Sequence, residues 1–185
     1  MTSFTRRRVL AVAAAPVLLG ACGNGIGSGG AGRIDARINA ATAFMHDAVP
    51  GTRQLSEKAV GTLVMPLVTE AGFGLGGAYG RGGLRIGEAT VDYYSVTEAS
   101  AGLQIGAQQY SHALFFMTEP ALQSFRAAPG WVAGADLEYT ISTYRRTLTT
   151  DTTTLTTPVV AVVFGQAGLI AGATVEGQKY TRILP

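Results

Sequence analysis

The stretch Ala71-Gly72-Phe73-Gly74-Leu75-Gly76-Gly77-Ala78-Tyr79-Gly80-Arg81-Gly82-Gly83-Leu84 decides how this chain is read. From Gly72 to Gly80 a glycine or alanine stands at every second position, which is the period of a strand. A strand with one face nearly bare lets another backbone or a helix approach closely. Gly82-Gly83 is expected to turn the chain. The spacing of Gly72, Gly74 and Gly77 also satisfies Gly-x-Gly-x-x-Gly, but a dinucleotide site needs a helix opening at the third glycine. Gly80, Gly82 and Gly83 would break that helix, so a glycine-faced strand is the reading.

Further strands are predicted downstream at Leu84–Gly87, Val91–Val96, Leu103–Tyr110, Ala113–Met117, Leu137–Tyr144, Val159–Phe164 and Leu169–Val175. Upstream, Thr62–Val68 is β-type but marked as edge or irregular by Pro66. Ile34, Ile38, Ala41, Phe44/Met45, Ala48 and Val49 form a helical stripe that Pro50-Gly51 ends. Arg33 and Arg37 flank that stripe, while Asp35, Asn39 and His46 lie opposite. A second short helix is expected near Arg53–Val60, and a third after Thr118, the cap residue, running through Phe125. Residues 147–157 hold eight threonines and read as a polar loop or hairpin extension. Helices first and then a run of strands predict an α+β domain, with a curved or barrel-like, mainly antiparallel sheet.

The chain has 185 residues, 47% of them hydrophobic, with one Cys and two His, which suits one domain and excludes a disulfide framework or a Cys-rich zinc site. Its formal charge of +2 depends on Arg6, Arg7 and Arg8; without residues 1–21, 11 basic residues face 12 acidic ones. Global charge therefore gives no case for nucleic acid, and an anionic partner must meet a local patch. Residues 1–21 read as a signal peptide with a twin-arginine-like n-region and an apolar run too short to span a bilayer. Leu19-Gly20-Ala21-Cys22 is similar to the bacterial lipobox, which implies cleavage before Cys22 and lipid attachment to its thiol. Gly23 in place of Asp implies sorting to the outer membrane of a Gram-negative bacterium. Residues 22–32 are then a glycine-rich tether, and residues 33–185 the domain.

Catalytic chemistry is not written in this sequence. No P-loop and no Gly-x-Ser-x-Gly elbow occur. Ser111 and His112 are neighbours on a strand and point to opposite faces, wrong for nucleophile and base. Asp136 and Glu138 could share a strand face, but with no third ligand in the pattern they read as solvated residues. No cofactor and no metal site are expected.

The glycine-rich stretch, taken with Gly102–Gln108, Leu114–Glu119, Ala121-Leu122, Phe125, Trp131, Gly134-Ala135-Asp136, Gly168–Gly172 and Val175-Glu176-Gly177, resembles the SYLF domain over roughly residues 57–180. That family includes yeast actin-patch proteins. The resemblance implies a mixed α+β domain that binds acidic phospholipids, phosphoinositides among them, and is not an enzyme. In eukaryotic members a basic amphipathic segment at the N-terminal end contributes to membrane binding, the place that Ile34–Val49 occupies here. Actin binding does not carry over, since an exported lipoprotein meets no actin inside its own cell.

The expected function is therefore that of a membrane-anchored lipoprotein whose domain engages acidic phospholipid head groups. Candidate contacts are Arg33, Arg37, Arg53, Lys58, Arg81 and Arg85, with Arg145 and Arg146 as further basic positions. The alternative is a non-catalytic structural or protein-interaction module of the cell envelope, whose only lipid contact is the acyl anchor. The sequence names no protein partner.

Overall fold

The computed structural model describes residues 29–134, 139–143, 157–168 and 175–185. Cys22, the signal segment, Asp136, Glu138, Arg145, Arg146 and most of the threonine-rich stretch lie outside the described residues, as does the expected strand at 169–175 except for Val175. The element order is α1 (Gly30–Ala48), α2 (Thr52–Lys58), β1 (Gly61–Ile86), β2 (Ala89–Phe116), α3 (Glu119–Ala127), β3 (Trp131–Val132), β4 (Tyr139–Thr143), β5 (Val159–Gly168) and β6 (Lys179–Ile183). The chain is α+β, with three helices on one curled, mainly antiparallel sheet that forms a half-barrel.

The spine of the sheet is a hairpin of two very long strands, β1 and β2, in register from Gly61↔Phe116 to Ile86↔Ala89. β2 carries two partners on its other edge. Tyr93–Thr97 pair with β6 and Gln108–Phe116 pair with β5. β4 runs parallel to β5, and β3 adds to β6. The turn falls at Gly87-Glu88, and Gly82-Gly83 lie inside β1, a correction to the expected turn. The expected strand at Leu84–Gly87 is the end of β1, and those expected between residues 91 and 117 are one continuous strand, β2, because register shifts at Met65/Val68, Phe73/Leu75 and Leu84/Arg85 bend the pair without ending it. β3 and β6 were not foreseen.

The glycines inside β1 are there for contact. A Cβ on Gly82 would lie 2.0 Å from the Val64 carbonyl oxygen, and one on Gly80 would lie 2.6 Å from that of Leu67. The second half of β1 thus closes against the backbone of its first half. On the other face, a Cβ on Gly83 would meet Ile38 Cδ1 at 3.0 Å, so α1 seats there. The bare strand face of Gly80 and Gly82 admits a backbone, and Gly83 on the opposite face admits the helix.

Two cores follow from the alternation of β2. Tyr110, Leu114 and Phe116 point into the half-barrel, with Phe125, Trp131 and Tyr180. Ala113 and Phe115 point outward, under Ile34, Ile38 and Met45 of α1, Val49 just after it and Leu55 of α2. The predicted stripe of α1 is the buried one, except that Phe44 is half exposed. α1 begins at Gly30, inside the segment expected as tether. Its end is closed by Thr52, whose Oγ1 donates to Val49 O at 2.8 Å. Thr118 caps α3, accepting from Ala121 N as predicted.

Candidate anion-binding groove

α1 crosses β1 over Gly83, so its two flanks face different parts of the hairpin. On one flank Gly30, Arg33, Ile34 and Arg37 of α1 face Leu67 and Thr69 from the first half of β1 and Tyr79 and Arg81 from the second. They line a groove of about 200 Å³. The contact at Gly80 brings the two β1 segments together and so makes the groove's floor. Among the described residues no Asp or Glu lines it. The first turn of α1 carries no acid either, so the positive end of the helix dipole adds to the three guanidinium groups.

On the other flank the charges are spent on the fold. Asp35 accepts hydrogen bonds from Thr90 Oγ1 and Tyr93 Oη, both at 2.9 Å. Burial and the Asp35 carboxylate push the Tyr93 hydroxyl up from its ordinary pKa. Arg85 Nη2 donates to Asn39 Oδ1 at 2.6 Å. Arg81 and Arg85 share the face of β1 that meets α1, and the helix runs between them.

Arg53 lines a third region with His46, Ser56, Glu57, Arg85 and Glu88, where cations and carboxylates are mixed. There His46 Nε2 lies 2.9 Å from Ser56 Oγ, a pairing the sequence did not suggest because the two residues sit on different helices. Burial, aided by the charge of Arg53, lowers the His46 pKa. Ser56 Oγ donates to Thr52 O, so its proton is held by the helix backbone. Lys58 ends α2. Of the six candidate cations, the structure therefore unites Arg33, Arg37 and Arg81, and places Arg53, Lys58 and Arg85 elsewhere.

Inside the half-barrel, His112 and Ser111 do point apart. Ser111 Oγ donates to Pro66 O at 2.7 Å, while His112 Nε2 lies 2.8 Å from the Tyr180 hydroxyl. Complete burial pushes His112 down to about 3, so it is a neutral core residue at physiological pH. Its network continues through Gln178 to Tyr110 and Glu98. Among the described residues no three His, Cys, Asp or Glu side chains come together as a metal site.

The fold and the groove define a non-helical-bundle α+β domain, one curled antiparallel sheet with a basic cleft under its first helix. Residues 97–182 match the family model described as Ysc84, Las17-binding protein actin regulator, a match consistent with the SYLF-domain resemblance. The matched residues run from the middle of β2 to β6. The groove is built from α1 and β1, before the matched segment. No curated protein matches the chain in the comparison made with them.

Proposed function

We propose that this chain is a lipoprotein, exported and held by acylated Cys22, whose SYLF domain binds the phosphates of acidic phospholipids in the groove between α1 and β1. The reading rests on one observation: Arg33, Arg37 and Arg81 converge from two elements on a cleft lined by no carboxylate among the described residues. Guanidinium forks are suited to phosphate oxygens, and three of them on a near-neutral chain make a local site. The family's name speaks of actin regulation and Las17 binding. For this chain the expected role is lipid binding without catalysis, at the outer membrane of a Gram-negative cell. The acyl anchor would keep the groove at high effective lipid concentration, so modest affinity suffices.

The test is vesicle flotation of the chain from residue 22 onward, with Cys22→Ser so that no acyl chain contributes. This piece contains every described residue. Binding is expected to vesicles rich in phosphatidylglycerol, to fall with added salt, and to be marginal on phosphatidylcholine. Equal binding to both, or none to either, would favour the structural-envelope alternative.

A further inference from the structure

The basic groove does not end at Arg37. A second groove, of about 390 Å³, shares Arg37 and Leu67 with it and continues along Phe44, Pro66 and Phe164. Its exposed apolar surface is built by specific features of the chain. Pro66 and Leu67 together stand opposite the single residue Ser111 where the β1–β2 register shifts between Met65 and Val68, a bulge of one extra residue. Ser111 holds this bulge by donating to Pro66 O, so Leu67 stands outward in a fixed place. Opposite it, Phe44 stacks on Phe164 with ring centroids 6.3 Å apart. Phe44 is 50% exposed and Leu67 39%, although both belong to elements with well-filled cores beneath them.

A phospholipid has this same order of chemistry: a phosphate, then a glycerol, then hydrocarbon. The surface offers three arginines, then a shared boundary at Arg37 and Leu67, then an apolar channel. Arginine stems lie comfortably along such a boundary with their heads at the phosphate level. The chain position agrees. Cys22 precedes Gly30, which lines the basic groove, by eight residues, a reach of at most about 28 Å. A bilayer that held Cys22 would lie within reach of this face.

Building on the lipid-binding reading, we infer that α1 lies against the bilayer with Phe44 and Leu67 inserted among the acyl chains of the anionic lipids whose phosphates occupy the groove. Insertion is shallow, about 5–10 Å below the head groups, as for other interfacial helices. The occupant is lipid hydrocarbon, and the basic groove that abuts it supplies the charge complementarity.

The experiment places a reporter on the apolar wall. Phe44→Trp, in the chain from residue 22 with Cys22→Ser, is mixed with phosphatidylglycerol vesicles carrying brominated acyl chains. Trp131 is buried in the half-barrel and gives a constant background. The emission should shift to the blue and be quenched more by bromines near the glycerol than by bromines deep in the chain. Leu67→Trp repeats the measurement on the opposite wall, and Phe44→Ser with Leu67→Ser should weaken vesicle affinity about tenfold. Vesicle-bound protein with unshifted, unquenched emission at both positions would overturn the inference, leave the lipid reading standing and hand the apolar wall to a protein partner or a second copy. Failure of the unsubstituted chain to bind anionic vesicles would overturn both.

Discussion

The two flanks of α1 use the same kinds of residue for opposite ends. On one, Asp35 is met by two hydroxyls and Asn39 by Arg85, so Asp35 and Arg85 each have a partner across the helix–sheet joint. On the other, Arg33, Arg37 and Arg81 face a common cleft without a carboxylate among its described lining residues. Three like charges on one cleft repel one another unless anionic groups screen them. The first flank and the apolar stripe both hold the helix on the sheet. The second flank is the one to which the proposed function assigns the lipid phosphate.

The comparison can be broken at its base. Both flanks depend on β1 closing on itself, and at Gly82 a side chain would run into the Val64 carbonyl and into Met65 Sδ at 2.6 Å. Backbone cannot yield there as a side-chain tip can. Gly82→Val is expected to cost at least the upper part of the usual overpacking range, about 1–3 kcal/mol, and to lower the melting temperature markedly. An unchanged melt would show that the two halves of β1 are not in contact. A smaller effect is expected on the paired flank alone. Asp35→Ala leaves the Thr90 and Tyr93 hydroxyls without their acceptor and should cost about 1–3 kcal/mol of stability. Vesicle affinity of the folded protein should stay as it was, and a loss of affinity equal to that of the arginine variants would erase the distinction between flanks.

Much of this architecture is legible in the sequence because the signals are local. The stripe of α1, the Thr118 cap and the edge character of the Pro66 segment each follow from a few neighbouring residues. The glycine-faced strand also implies a close approach of a backbone or a helix, and at Gly80 and Gly82 it is a backbone. What failed was the distinction between a glycine that turns and a glycine that packs. Gly82 and Gly83 look alike in either role, and only Val64 and Ile38, distant in sequence, decide it. β6 was missed because its register is set by Tyr93–Thr97 of β2, some 80 residues earlier, as Ser95↔Thr181 illustrates. The site was half legible: Arg33 and Arg37 are one helical turn apart, but Arg81 joins them only through the curl of β1. Phe44 and Met45 share one place in the helical stripe, and the structure buries Met45 while Phe44 stays half exposed against Phe164, which the helix pattern alone does not decide.

The central proposal is that the position of the arginines, and not positive charge in general, governs binding to anionic lipid. Its most direct test compares two charge-reversed proteins on anionic vesicles at fixed salt: Arg33→Glu/Arg37→Glu/Arg81→Glu against Arg53→Glu/Lys58→Glu/Arg85→Glu. Each removes three cations and adds three anions, so long-range electrostatics change equally. At about 1 kcal/mol per basic residue at the surface, the first should lose roughly a hundredfold in affinity or more, and the second far less. Equal losses in the two proteins would contradict the account.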